Sequence, residues 1–257
     1  MKAYLITMGG SEYGWSRHND EGVFRDYQKE AERLMESAKP FGFETIIYNN
    51  EFIYNLPYYD EHKDVLTKTS FGFCHKSICL YETLKKVDDE DFVFFVDSNH
   101  IVREFPQKFL EMAFENGVFV RDHIWVKYLN KHWGRRDTFV NMGLDEEKYW
   151  NSLQMQANIV GYCKGEFSMK FAKEWVDCSL DYKIMFGENK YPNFEGFREH
   201  RHDQLIFSLL VAKYNIPYLN RTANVWNEYV IPEIDEITPE VIVDNSYRKE
   251  QDRKYIR

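Results

Sequence analysis

Asp91-Phe92-Val93-Phe94-Phe95-Val96-Asp97-Ser98-Asn99 is the stretch that decides the fold. Phe92 to Val96 is an unbroken apolar run, bounded by the acidic turn Asp88-Asp89-Glu90-Asp91 on one side and by turn-forming residues on the other. A run of this length without alternation reads as a strand buried on both faces, the mark of a central strand in a parallel sheet. In open α/β sheets, ligands bind beyond the carboxyl ends of the strands. Asp97 stands at such an end.

The flanking sequence supplies the rest of an α/β pattern. Ala3 to Met8 is a β-rich run stopped by Gly9-Gly10. Phe24 to Ala38 places Phe24, Tyr27, Ala31, Leu34, Met35 and Ala38 at the spacing of an amphipathic helix, ended by Pro40 and Gly42. Phe43 to Tyr48 follows as a second strand, so the chain opens with a βαβ unit and a parallel pair. Asn49 to Thr69 reads as a Tyr-rich loop, and Cys74 to Val87 as a helix leading to the central strand. Beyond it we expect a helix over Pro106–Asn116, a strand at Val118–Val120 and an irregular stretch to Asn141. A strand over Ala157–Cys163, a helix over Phe167–Tyr182 and a polar loop over Gly187–Gly196 come next. His202–Tyr214 reads as a helix, and Ile216–Leu219 as a short strand. The alternation makes a mainly parallel, mixed sheet flanked by helices the expected fold.

A chain of 257 residues can form one large domain. We expect a single domain over 1–257, with one half over about 1–120, a second over about 121–220 and an extension over 221–257. Hydrophobic residues make up 44% of the chain, enough for a sizeable core. The aromatic content (20 Phe, 18 Tyr, 6 Trp) suits both a core and the flat walls of sugar or base pockets. The net charge of −9, with no basic block outside the mixed ending Arg248 to Lys254, argues against nucleic acid as a partner. No window is apolar for eighteen residues, so no transmembrane helix is expected. Cys74, Cys79, Cys163 and Cys178 form no CxxC pair or zinc-ligand spacing and read as reduced thiols of an intracellular, cytoplasmic protein.

Three constellations bear chemistry. Asp97-Ser98-Asn99 can hold a divalent cation and a diphosphate, as a variant of a DxD motif with Asn99 in the second position; a strand-ending Asx turn would use the same residues. Glu199-His200-Arg201-His202-Asp203-Gln204 concentrates titratable groups ahead of an apolar helix, where histidines bind metal or move protons and where Asp203 also suits a helix start. Trp133-Gly134-Arg135-Arg136-Asp137 pairs two arginines with a glycine, fit for phosphate or sugar hydroxyls, or for an exposed loop.

Taken together, these segments resemble a group of bacterial and viral capsule-type glycosyltransferases of GT-A fold. The likeness runs over about residues 70 to 215. It rests on Gly72 to Lys76, on Asp91 to Asn99, on Arg135 to Phe139, on Gln156-Ala157-Asn158, on Glu174-Trp175 and on the run from His200 to Phe207. The chain departs from the family at His75, where Trp is usual, and at Asn99. The resemblance implies a GT-A (Rossmann-like) domain that transfers a sugar from a nucleotide diphosphate-sugar donor to a glycan acceptor. It assigns Asp97, Asn99 and His202 to a Mn²⁺ or Mg²⁺ ion. Lys76, Asp97, Ser98, Asn99, Arg136, Asp137, Gln156 and Gln204 fall to the donor, with Lys76 and Arg136 on its phosphate or sugar and Asp137 and Gln156 beside the sugar. Asp203 falls to catalysis facing the acceptor, as a general base if the reaction inverts, with His202 beside it. It also implies a catalytic domain whose first half binds the nucleotide and whose second half binds the acceptor. It is compatible with a cytoplasmic enzyme either free or peripheral to the membrane where the glycan is assembled, and leaves the oligomeric state open. A sugar-phosphate nucleotidyltransferase and a non-catalytic glycan-binding module are the rival readings. The first is disfavoured because Met8-Gly9-Gly10-Ser11 lacks a nearby Lys for a phosphate loop.

Overall fold

The structure is a computed structural model that describes residues 1–10, 27–68, 73–122, 128–219 and 234–236. The first elements are β1 (Ala3–Met8), α1 (Tyr27–Ala38), β2 (Glu44–Tyr48), α2 (Asn50–Tyr54), α3 (Lys63–Leu66) and α4 (His75–Leu84). The central stretch follows as β3 (Phe92–Val96), with β4 (His100–Val102), α5 (Gln107–Asn116) and β5 (Val118–Phe119) after it. Then come α6 (Asn130–Trp133), α7 (Arg136–Asn141), α8 (Glu147–Trp150), β6 (Ile159–Cys163), α9 (Glu166–Leu180), α10 (Tyr182–Met185) and α11 (His202–Tyr214). A strand β7 (Ile234–Glu236) pairs antiparallel with β4.

Five strands form one sheet in the order β2-β1-β3-β6-β5. β1 pairs parallel with both β2 and β3, whereas β6 runs antiparallel to β3 and to β5. Four strands therefore point one way, and the sheet is mixed and mainly parallel, as the alternation of elements predicts. This polarity puts the carboxyl ends of β1, β2, β3 and β5 along one edge. At β1 the chain leaves through Gly9-Gly10. A Cβ on Gly10 would lie 2.4 Å from Oδ1 of Asn50, so a side chain there would displace the Asn50 amide at the start of α2.

β3 is buried along its whole length, and its period-2 geometry divides the core. Val93 and Phe95 join the larger layer, with Ile78, Phe171, Trp175 and Phe207 of α4, α9 and α11. Phe92, Phe94 and Val96 join the other, with Leu34 and Met35 of α1 and Phe109 of α5. α11 is apolar nearly all round because it is enclosed on two sides. Ile206, Phe207 and Leu210 face the larger layer, and Leu205 and Leu209 pack with Phe139 in a third cluster. Cys74, Cys79 and Cys163 are buried, and Cys178 is half-buried.

Where structure and sequence reading differ, short range is the reason. α2 and α3 interrupt the stretch expected to be a loop over Asn49–Thr69, and α6 and α7 lie in the stretch expected to be irregular up to Asn141. Each is about one turn long, too short to show a 3.6-residue period. α2 is set by its cap, where the Phe52 N–H donates to Oδ1 of Asn49 at 3.0 Å. α1 ends at Ala38 and passes into a 3-10 turn over Lys39–Phe41, closed by Gly42 at φ 80°. Ile216–Leu219 contributes a single bridge, Leu219 to Arg121, in place of a strand. Phe24 and the extension beyond Leu219, β7 aside, lie outside the described residues.

Candidate active site

The turn after β3 is pinned by its backbone. The Asp97 N–H donates to the Asn158 carbonyl at 2.8 Å, and the Asp97 carbonyl accepts the His100 N–H at 3.2 Å. Ser98 turns inward, its hydroxyl donating to Oε2 of the buried Glu30 on α1 at 3.1 Å. Asn99 is half-buried in the same turn. The Asp97 carboxylate is left at the sheet edge with its side chain 33% exposed.

Two helices aim charged groups at this point. Lys76 is the second residue of α4 and Asp203 the second residue of α11. Nζ of Lys76 lies 3.5 Å from Oδ1 of Asp97 and 3.8 Å from Oδ2 of Asp203, with the Lys76 and Asp203 side chains only 16% and 9% exposed. Burial opposes the ammonium, but the charges of Asp97 and then Asp203 outweigh it and hold Lys76 above its ordinary value. Asp203 goes the other way: burial pushes it up to about 6, against the pull of Lys76, and the Asp97 charge adds to the rise. Oδ2 of Asp203 is buried without a hydrogen bond. Its carbonyl accepts the Trp175 indole N–H at 3.3 Å.

Both helices begin on a strained residue. Phe73, just before α4, has φ 66°, and His202, the first residue of α11, has φ 41°. Left-handed backbone is unusual for such bulky residues and costs on the order of 1–3 kcal/mol each. The two rings stack at 4.4 Å between centroids and 11° between planes. This stack joins the helix starts that carry Lys76 and Asp203. Nδ1 of His202 and Nε2 of His200 lie 3.2 and 2.8 Å from the Met185 carbonyl, so both donate to it. Nδ1 of His200 accepts the Arg135 N–H at 3.3 Å. Burial lowers both imidazoles, His200 to about 3, so both are neutral near pH 7.

The remaining expected site residues divide between these contacts and a second cluster. The Gln156 N–H donates to the Arg121 carbonyl at 2.9 Å, and Nη2 of Arg121 donates to Oδ1 of Asn158 at 3.2 Å, behind the Asp97 turn. The Gln204 N–H donates to the Arg201 carbonyl in the first turn of α11. Arg136 is engaged by Asp145: Nε lies 3.3 and 3.2 Å from its two oxygens and Nη2 lies 3.0 Å from Oδ2. Asp137 is buried, and its Oδ1 accepts the N–H groups of Glu188 and Lys190 at 3.1 and 2.9 Å, anchoring the Gly187 loop. Burial would raise it, but these N–H groups prevail and hold it below the usual carboxylate value. The structure thus brings Lys76, Asp97 and Asp203 together, and gives Ser98, His202, Arg136 and Asp137 other partners.

Glu30, Arg121 and the Met185 carbonyl build the site without having been singled out, and Phe73 and Trp175 entered only within segments that carry the resemblance, with no role assigned. For Arg121 the signal was present: Val118-Phe119-Val120 ends in Arg121-Asp122 as Phe92–Val96 ends in Asp97, and both strands finish at the same sheet edge. For Met185 there was none, since a backbone carbonyl leaves no trace in residue type.

Among the described residues, no three His, Cys, Asp or Glu side chains converge on a metal-sized space. The two carboxylates that reach the end of β3 already share one ammonium.

No protein-family model matches the chain, and no curated protein matches it. Among solved structures it is similar to apo mouse xyloside xylosyltransferase 1, at 11% identity and a TM-score of 0.48 over 86% of this chain and 85% of that one. It is similar at 14% identity and a TM-score of 0.40 to the apo form of the glycosyltransferase GlyE of Streptococcus pneumoniae TIGR4, over 85% of this chain and 45% of that one. Mannose-6-phosphate isomerase from Helicobacter pylori follows, at 14% identity and a TM-score of 0.35 over 70% and 76%.

Proposed function

We propose that the chain is a glycosyltransferase that moves a sugar from a nucleoside diphosphate-sugar to a hydroxyl of a glycan. The observation that carries this reading is the convergence of Lys76, Asp97 and Asp203 beyond the carboxyl end of β3. In the in-line displacement we envisage, the bond from the anomeric carbon to the β-phosphate oxygen breaks and its electron pair leaves with the diphosphate. The acceptor oxygen bonds to the anomeric carbon and gives its proton to the Asp203 carboxylate. A buried carboxylate with a raised pKa, lacking a hydrogen bond on one oxygen, suits that role. Lys76 supplies positive charge where the leaving group develops its negative charge, and Asp97 holds the ammonium in place. His202 is a positioning residue, since its stack on Phe73 and its bond to Met185 fix the start of α11.

A thermal-shift screen with nucleoside diphosphates and their sugars tests this, because a ligand that binds only the native protein raises its melting temperature. The expected result is a shift with one nucleotide class and slow release of its diphosphate when water replaces the acceptor. No shift and no release with any of them would overturn the reading in favour of a glycan-binding module.

A further inference from the structure

The carboxylates at the end of β3 pose a charge problem that the chain solves internally. Asp97 and Asp203 come from different elements, yet both turn to the same nitrogen of Lys76, at 3.5 and 3.8 Å. Little water screens the contact between Lys76 and Asp203, whose side chains are largely buried, while Asp97 meets the ammonium from the more open side. An ammonium in that position makes the contacts that a bound cation would otherwise make with acidic oxygens, and it does so permanently because it belongs to the chain. Lys76 is also held rigidly. It lies in the first turn of α4, just after the stacked Phe73, and α4 packs on both β1 and β3.

We infer that Lys76 takes the place of a divalent cation in this site, so that the protein binds a nucleoside diphosphate and transfers its sugar without a metal. The inference rests on the proposed glycosyl transfer and goes beyond it, for that reaction is as compatible with a metal as without one. It has a converse. Removing the ammonium leaves two carboxylates facing one vacated position, which is a better cation site than the native protein offers. A substitution of Lys76 by a neutral residue therefore weakens diphosphate binding and makes what remains dependent on an added cation.

The test is calorimetric titration of the full chain with UDP, GDP, ADP, CDP and dTDP, each in EDTA and in Mn²⁺, for the native protein and for Lys76→Gln and Lys76→Arg. For the native protein we expect one diphosphate to bind with an affinity that differs by no more than about threefold between EDTA and Mn²⁺. Lys76→Gln should lose on the order of tenfold or more in EDTA and regain much of it in Mn²⁺, while Lys76→Arg stays metal-independent. Binding by the native protein only in Mn²⁺ overturns the inference and leaves glycosyl transfer standing. Equal, metal-independent binding by Lys76→Gln also overturns it. Failure of every diphosphate in both conditions removes the glycosyl transfer reading and this inference with it. Should Lys76→Gln fail to fold, the comparison of EDTA with Mn²⁺ on the native protein decides alone.

Discussion

Two clusters in this molecule pair acids with a base, and they are built differently. At Arg136 the guanidinium meets both oxygens of Asp145 at 3.0 to 3.3 Å, lies against the contacting rings of Trp150 and Phe194, and shares Asp145 with the Trp150 indole N–H at 2.9 Å. At Lys76 the contacts are 3.5 and 3.8 Å, and Oδ2 of Asp203 has no hydrogen bond, although this cluster is the more buried. Charge-assisted pairs gain most when short and bidentate. A buried carboxylate oxygen left without a hydrogen bond costs on the order of 1–3 kcal/mol. The first cluster is arranged for stability. The second gives up stability for a carboxylate that can still accept a proton.

The largest expected effect breaks the comparison at Asp203. Asp203→Asn keeps the shape and removes the base, so transfer should fall by roughly 10²–10⁴-fold while affinity for the diphosphate stays within about threefold. An equal loss of both would assign Asp203 to donor binding or to folding. The pH profile sharpens the same point. The proposed mechanism requires the carboxylate, and Asp203 protonates as the pH falls through about 6. The native kcat/KM should therefore drop below that pH, and Asp203→Asn should lack this limb. Burial lowers His200 to about 3, so that imidazole supplies no competing limb near 6 to 7.

The Arg136 cluster should respond in the opposite sense. Asp145→Ala leaves Arg136 and Trp150 without their shared acceptor and should cost about 1–3 kcal/mol, lowering the melting temperature by several degrees with diphosphate release changed less than about twofold. A loss of activity larger than the loss of stability would make both clusters part of one site. The smallest effect belongs to His200. Its unfolded imidazole takes a proton near 6.5 and its folded one near 3, so the unfolded state binds more protons between those values. Stability is complete above about 6.5 and declines as the pH falls toward 3. Melting temperatures measured from pH 7.5 down to 5 should fall less steeply in His200→Gln than in the native chain.

The fold was legible in the sequence because its deciding strand is buried on both faces, and only an apolar run of five residues can be so placed. Asp97 was legible for the same reason, as the first polar residue after that run. Asp203 and Lys76 were visible as individual residues, but their meeting was not, since it depends on how α4 and α11 pack across the end of β3. At Arg136 the two arginines beside a glycine were legible but their partner was not: Asp145, nine residues on, takes the guanidinium. The paired carbonyl bonds of His200 and His202 were out of reach, because their acceptor is backbone and their ring orientation follows from the strained start of α11.

The most direct test of the central claim is the rate of diphosphate release from the donor by the native chain and by Asp97→Ala, with thermal melting of both. Asp97 is partly exposed and holds the ammonium from one side. Its removal should cut the rate by about 100-fold or more and move the melting temperature by no more than a few degrees. An unchanged rate in a folded Asp97→Ala protein would contradict the account, and the chemistry would then have to be sought away from the end of β3.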